Sequence, residues 1–166
     1  MILTGSEIKN SVENGSIVIE PFLESAINPN SYNYRLGSTI KVFNGYIQDQ
    51  SRFVEQDIPK EGLVLKPGQL YLAKTFEKIG SNKYAVSLIG RSSIGRLGLF
   101  LQISANLGHV GSKHCWTLEL IAAKPIRIYP GMVIGQVSFW ENNGEIELYE
   151  GVYGKFSNIK ESNVLL

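Results

Sequence analysis

Short apolar runs, separated by glycine and proline, dominate the hydrophobic pattern of this chain. They occupy residues 17–19, 32–36, 40–43, 63–65, 70–73, 84–89, 116–121 and 132–139. In two of them apolar and polar residues alternate, throughout 32–36 and as far as Leu120 in 116–121, which indicates strands with one buried face. Many short strands punctuated by turn residues predict an all-β (mainly β) domain, either a sandwich or a barrel.

Only the N-terminal segment has a helical pattern. Thr4 and Glu7 form a capping box, in which a hydroxyl precedes a glutamate by three residues. Ile8 and Val12 lie on one helix face, and Gly15 marks the end. The sequence therefore predicts one short helix over residues 5–14.

Turn signals organise the remainder of the chain. Asn44-Gly45 predicts a hairpin turn, and the charge-rich residues 47–61 predict a solvated loop. Pro67-Gly68 and Pro130-Gly131 predict two tight turns. No low-complexity stretch or linker interrupts the pattern, so residues 1–166 are interpreted as one domain.

Composition excludes several classes of function. The net charge of +1 provides no field for nucleic acid or an anionic membrane. A hydrophobic fraction of 43% with 19% charged residues is typical of a globular protein, and no stretch reaches membrane-spanning length. The single cysteine, Cys115, cannot form an intrachain disulfide, so we expect a reducing, cytoplasmic location.

Residues 90–98 form the richest candidate site. Three glycines, two arginines and two serines fall within nine residues. Glycine permits close backbone approach, and hydroxyl and guanidinium groups suit phosphate oxygens. The alternative is a solvated surface turn.

A second candidate is Glu119, which alternation places on one strand face with Thr117 and Ile121. A carboxylate among apolar neighbours suits general acid/base catalysis, whereas the alternative is a glutamate with a structural partner. Zinc deaminases require a Pro-Cys-x-x-Cys pair, which one cysteine cannot supply. His109, His114 and Cys115 match no strong zinc spacing, so we expect no zinc site.

The loop at 90–98, the Ser104-Ala105-Asn106 segment and the Leu118-Glu119 strand together resemble the dCTP deaminase family of the dUTPase-like superfamily. The resemblance implies a distorted jelly-roll or β-barrel and a homotrimer with active sites between subunits. It also implies metal-free hydrolytic deamination of a cytosine nucleotide, dCTP to dUTP plus ammonia, with Glu119 as general acid/base. The Ser92 hydroxyl and the Ala105 carbonyl would hold the water, and Arg96 would position it. Magnesium would enter bound to the nucleoside triphosphate.

The same resemblance implies a set of substrate-binding residues, which comprises Arg91, Ser92, Ser93, Arg96, His109, Thr117, Leu118, Gln136, Tyr149 and Lys155. A strand amide with a structural partner is the alternative for Gln136. Arg35 matches an N-terminal family signature, and we favour a structural ion pair or an interface contact for it.

Residues 106–112 depart from the family pattern. His109 stands where members carry an aspartate for the sugar 3′-hydroxyl, and Ser112 stands where an aromatic packs under the deoxyribose. We therefore expect an open, rebuilt sugar pocket with weaker discrimination against ribose. Two alternatives follow: a dUTP diphosphatase or bifunctional enzyme, which would need a carboxylate near position 109, and a non-catalytic nucleotide-binding paralogue. Intact Glu119, Ser92 and Arg96 argue against the second alternative.

Overall fold

The computed structural model describes residues 1–47 and 50–162, except for the side chains at positions 46, 47, 50, 51 and 155. Its helices are α1 (Gly5–Glu13), α2 (Ser92–Gly95) and two 3-10 turns (Glu24–Ala26 and Val152–Lys155). Its strands are β1 (Ile17–Glu20), β2 (Ile27–Asn28), β3 (Ser31–Ile47), β4 (Gln50–Asp57), β5 (Leu63–Leu65), β6 (Leu70–Thr75), β7 (Lys78–Ser81), β8 (Tyr84–Gly90), β9 (Leu99–Leu101), β10 (Leu107–Gly108), β11 (Lys113–His114), β12 (Thr117–Ala122), β13 (Ile126–Ile128) and β14 (Val133–Glu141).

Antiparallel pairing joins these strands into one large, curled sheet and two small ones. In the described chain the large sheet runs β10-β8-β14-β3-β6-β12-β9, and β2 and β4 also pair with β3. The small sheets are β1-β7-β11 and β13-β5. The prediction of an all-β, barrel-like fold with a short N-terminal helix is confirmed.

The predicted helix and Pro-Gly turns are also confirmed. The Thr4 hydroxyl caps α1 by accepting the Glu7 amide at 3.3 Å, and the helix ends at Glu13, one residue before the predicted end. Gly68 and Gly131 adopt φ angles of 71° and 74°, as tight Pro-Gly turns require.

The hairpin prediction at Asn44-Gly45 is wrong in its position. Phe43 pairs with Phe53 and Tyr46 pairs with Ser51, so two residues of β3 oppose one residue of β4. This is a β-bulge, and Gly45 supplies the φ of 91° that such a bulge needs. Residues 48–49 lie outside the described residues.

The solvated loop expected over residues 47–61 is also wrong, because Gln50–Asp57 form strand β4. Among the described strands β4 pairs with β3 alone, which makes it an edge strand. Charged side chains on an edge strand discourage pairing with another chain, and this accounts for a charge-rich sequence that is nevertheless extended.

The core fixes the strand that leads into the candidate phosphate loop. The Tyr34 side chain is fully buried, and its hydroxyl donates to the Ile89 carbonyl of β8 at 3.0 Å. Burial raises the pKa of Tyr34, so the phenol stays a neutral donor. A Cβ at Gly135 would lie 2.1 Å from the Tyr34 ring, so only glycine fits between β3 and β8. This contact anchors the end of β8 next to residue 91.

Candidate active site

Glu119 lies in the middle of β12, between β6 and β9. The side chains of Leu118 and Leu120 have no exposed surface, whereas Thr117 and Glu119 are half-buried and Ile121 is exposed. The predicted alternation of faces is confirmed. The expectation that Leu118 binds substrate is wrong for its side chain, because that side chain belongs to the core.

Gln102 connects two of the predicted catalytic residues. Its Oε1 accepts the backbone N–H of Glu119 at 2.8 Å, and its Nε2 donates to the Ala105 carbonyl at 3.1 Å. Its own amide donates to the Glu119 carbonyl at 3.3 Å. Sequence reasoning missed Gln102, and the one signal was a polar residue directly after the apolar run 99–101.

The loop after β8 folds into the short helix α2. The Arg91 amide donates to the Ile134 carbonyl at 3.4 Å, and the Arg96 amide closes the turn on the Ser92 carbonyl at 3.0 Å. Ile94 points into the core, while Ser92, Ser93 and Arg96 are exposed and Arg91 is half-buried. The turn therefore presents hydroxyl and guanidinium groups outward, as a phosphate-binding loop requires.

Strand β9 joins this loop to Glu119. Helix α2 contacts β9, and Leu101 of β9 pairs with Leu120 of β12. The structure thus brings Glu119 and Ala105 together through Gln102, with Ser92 and Arg96 on the adjacent element. Gly98, with a φ of 90°, makes the turn from α2 into β9.

His109 and Tyr149 form an aromatic pair. Their ring centroids lie 5.1 Å apart with an interplanar angle of 24°, and the Tyr149 amide donates to the Val110 carbonyl at 2.8 Å. Gly151 and Gly154 allow the chain to wrap this ring, since a Cβ at either position would lie within 2.8 Å of it. We call residues 149–162 the C-terminal segment; it lies over the altered stretch 106–112.

The same segment corrects the expected opening at Ser112. Ser112 is only 3% exposed, and its Oγ lies 3.1 Å from an ideal Cβ at Gly154. The side chain therefore presents no open space to a sugar. The segment also reaches Thr117, whose Oγ1 accepts the Lys160 amide at 3.0 Å. Lys155 ends the 3-10 turn Val152–Lys155, and its side chain lies outside the described part of the structure.

Gln136 lies in β14, between β3 and β8, away from Glu119. Its Oε1 accepts the Ser31 hydroxyl at 3.3 Å, within a polar cluster that includes Asn28 and Asn33. Gln136 pairs with Ile89, two residues before Arg91, so it flanks the start of the phosphate loop rather than the carboxylate.

The favoured interpretation of Arg35 as part of an ion pair is confirmed. Its Nε lies 2.6 Å from Oε1 of Glu77, and its backbone amide donates to Oε2 at 2.8 Å. Glu77 has no exposed surface, so the pair is a buried structural element. The Arg35 guanidinium also lies 4.4 Å from the centre of the Phe76 ring.

Within residues 1–47 and 50–162, no three His, Cys, Asp or Glu side chains are placed to hold a metal ion. His114 is buried and its Nδ1 donates to the Cys115 carbonyl at 2.9 Å. Burial lowers the pKa of His114 and raises the pKa of the Cys115 thiol. In the described part of the chain, no helix is both long and apolar enough to span a membrane.

The fold matches a solved structure, 2′-deoxycytidine 5′-triphosphate deaminase from Agrobacterium tumefaciens, with a TM-score of 0.68 and 23% identity. The match covers 85% of this chain but 48% of that one, so this chain spans about half of that protein's length. The architecture is therefore the one found in a nucleotide deaminase.

Sequence comparison narrows the class to a family. A dCTP deaminase-like family model matches residues 2–142. Proteins named "dCTP deaminase, dUMP-forming" from Hathewaya histolytica and Clostridium acetobutylicum are each 45% identical, over 95% and 96% of this chain and 92% of their own length. A protein named "dCTP deaminase" from Rhodopirellula baltica is 43% identical over 87% of this chain and 74% of its own. The chain belongs to the dCTP deaminase-like family.

Proposed function

We propose that this protein hydrolyses the exocyclic amine of dCTP, with Glu119 as the general acid and base. One observation carries the proposal: Gln102 ties the backbone of the half-buried strand residue Glu119 to the Ala105 carbonyl, next to an exposed Arg-Ser-Ser loop, in a chain of this family. This arrangement offers one proton carrier, acceptors for a water and donors for phosphates.

The chemistry requires one water and one proton carrier. The water oxygen bonds to C4 of cytosine while Glu119 takes its proton and then delivers that proton to N3. The C4–N4 bond then breaks, and N4 leaves as ammonia with the remaining proton of the added water, which leaves uracil. The Ala105 carbonyl accepts a hydrogen bond from the second O–H of the water, the Ser92 hydroxyl donates one to the water oxygen, and Arg96 orients it.

The phosphate contacts fall to Arg91, Ser92, Ser93 and Arg96, because they are the outward-facing donors of the loop. Gln136 flanks the same loop, and His109, Thr117, Tyr149 and Lys155 would complete the pocket with the C-terminal segment. Magnesium would arrive bound to the triphosphate oxygens and water, the ligands that it prefers. When bound, magnesium would neutralise phosphate charge.

A second candidate reaction is formation of dUMP. The names of the Hathewaya and Clostridium relatives favour it, since those proteins are called dUMP-forming. It would add cleavage of the diphosphate after deamination, with a second water attacking phosphorus and pyrophosphate leaving. His109 argues against it, because an imidazole replaces the carboxylate expected to orient that water.

The assembly we propose is a homotrimer. Leu70 of β6, Ile121 of β12 and Phe100 of β9 are aligned in one row by the strand register, and all three are exposed. This row lies on the face that carries Glu119, two residues from Ile121. A second copy of the chain would bury the row and close the site from water.

We also propose a reducing, cytoplasmic location for this nucleotide enzyme, since its single cysteine cannot form an intrachain disulfide.

The deciding experiment measures two products separately. The protein is incubated with dCTP, CTP, dCMP and dUTP in the presence of magnesium, and ammonia and pyrophosphate are quantified. Ammonia from dCTP supports the main proposal, and one pyrophosphate per ammonia supports dUMP formation. Nucleotide binding without either product would identify a non-catalytic paralogue.

A further inference from the structure

Gln102 is a buried polar residue in a constrained backbone conformation. The residue is 8% exposed, and its φ of 49° falls in the left-handed region that non-glycine residues seldom adopt. A glutamine held there costs about 1 kcal/mol or more of backbone strain. Contacts with neighbouring residues must therefore stabilise this backbone conformation.

The hydrogen bonds of Gln102 explain what holds it. The amide oxygen accepts from the Glu119 N–H, the amide nitrogen donates to the Ala105 carbonyl, and the Gln102 backbone amide bonds to the Glu119 carbonyl. The side chain thus uses both ends, and each end contacts the backbone of a different proposed catalytic residue. No shorter or purely apolar side chain can make both contacts.

We propose that Gln102 is a positioning residue that ties the backbone of Glu119 to the Ala105 carbonyl, and so sets where the Glu119 side chain starts relative to that carbonyl. This inference rests on the proposed deamination, in which both groups must hold one water. Gln102 is buried, whereas residues 103–105 that follow it are exposed. Apart from the hydrogen bond from Gln102 Nε2, no contact in the described structure fixes the Ala105 carbonyl. Misplacement of about 1 Å at a reacting centre costs about 100-fold in rate.

Gln102→Asn is the first test, because asparagine tolerates the left-handed conformation better than glutamine and retains the amide. Its side chain is one methylene shorter and cannot span both partners. We expect kcat for ammonia release from dCTP to fall about 100-fold with KM changed by less than about threefold. Gln102→Met, which keeps the length and removes both hydrogen bonds, should behave in the same way.

Gln69→Met is the matched control for stability. Gln69 also bridges two groups, since it accepts the Tyr71 hydroxyl at 3.0 Å and donates to the Phe43 carbonyl at 3.3 Å, but it lies outside the site. This variant should lower the melting temperature while its kcat stays at the wild-type value. If Gln102→Met and Gln69→Met both lose kcat, each in proportion to its loss of melting temperature, then Gln102 has only a structural role and the proposal is overturned.

Gln102→Glu gives a readout that a structural role would not move. An ionised carboxylate still accepts the Glu119 N–H but cannot donate to the Ala105 carbonyl, whereas a protonated carboxyl does both, as the amide does. The ratio of variant to wild-type kcat should therefore rise as the pH falls. A ratio that is flat with pH, or a Gln102→Asn kcat within threefold of wild type, overturns the positioning role alone. A wild type that releases no ammonia from any cytosine nucleotide overturns the proposed function and this role with it.

Discussion

At the scale of single residues, the Glu119 carboxylate is the group whose removal should slow the proposed reaction most. Glu119→Gln preserves the shape of the side chain and removes its capacity to carry a proton. We expect kcat for ammonia release to fall about 10²- to 10⁴-fold, the range of general acid–base catalysis. Nucleotide affinity, measured by calorimetry, should stay within about tenfold because the phosphate loop is untouched.

Glu55→Gln provides the comparison, since Glu55 is an exposed carboxylate on the edge strand β4. That variant should keep wild-type turnover. Ammonia release by Glu119→Gln at a rate near that of Glu55→Gln would remove Glu119 from the mechanism.

The buried Arg35–Glu77 pair yields a prediction about stability. Glu77→Gln leaves the Arg35 guanidinium without its counter-ion in a site where Glu77 has no exposed surface. We expect the free energy of unfolding in urea to fall by about 3–5 kcal/mol. Replacing both residues, as Arg35→Met with Glu77→Leu, should cost less than Glu77→Gln alone. A fall under about 1 kcal/mol for the single variant would contradict a coupled buried pair.

At the level of residues, the sequence predicted correctly those features that depend only on neighbouring positions within one segment. The cap at Thr4 and the two faces around Glu119 follow from spacing alone. Gln102 and Ser112 could not be predicted in this way. Their environments come from contacts with Glu119 and with Gly154, residues 17 and 42 positions away along the chain.

At the scale of elements, the C-terminal segment is a cover held by the stacking of Tyr149 on His109 and by hydrogen bonds from its backbone amides to Val110 and Thr117. In Gly154→Val, the added side chain would meet the Tyr149 ring, already 2.8 Å from an ideal Cβ, and the Ser112 hydroxyl. The cover should be displaced from His109. We expect KM for dCTP to rise about tenfold, which corresponds to about 1.4 kcal/mol of binding, with a smaller change in kcat.

Ser157→Val tests whether added bulk alone has this effect. Ser157 lies in the same segment and is exposed, so valine there meets solvent. Its KM should equal that of the wild type. An unchanged KM in Gly154→Val would show that the docked segment makes no contribution to nucleotide binding.

Element boundaries were the weakest part of the sequence prediction, and the hairpin of β3 and β4 shows why. Asn-Gly favours positive φ, and both a two-residue turn and a glycine bulge use that conformation. The choice between them was made by pairing between Phe43 and Phe53 and between Tyr46 and Ser51. That register depends on pairing along the whole strand, so the Asn-Gly dipeptide alone does not predict it.

At the scale of the whole molecule, His114 links folding to pH. Burial lowers its pKa in the folded chain, and the neighbouring Cys115 thiol, whose pKa is raised, stays neutral over the same range. Unfolded histidine titrates near about 6.5, so below that pH the unfolded chain binds a proton that the folded chain resists. The stabilising contribution is present above about pH 6.5 and is lost as the pH falls below it. Urea unfolding of wild type and His114→Gln from pH 5 to 7.5 should show a shallower pH dependence in the variant; parallel curves would contradict this assignment.

The exposed row of Leu70, Ile121 and Phe100 makes the assembly testable. If a second copy of the chain covers it, a charge placed in the row must be buried at the interface without a partner, which the assembly cannot tolerate. Ile121→Lys should therefore convert a species of about three chains, measured by light scattering, into a monomer. Turnover should fall with it, because water then reaches Glu119. Val64→Lys, at an exposed valine on the separate strand β5, should keep both mass and activity. A fully active monomer in wild type, or an unchanged mass in Ile121→Lys, would show that the row faces solvent in the working enzyme.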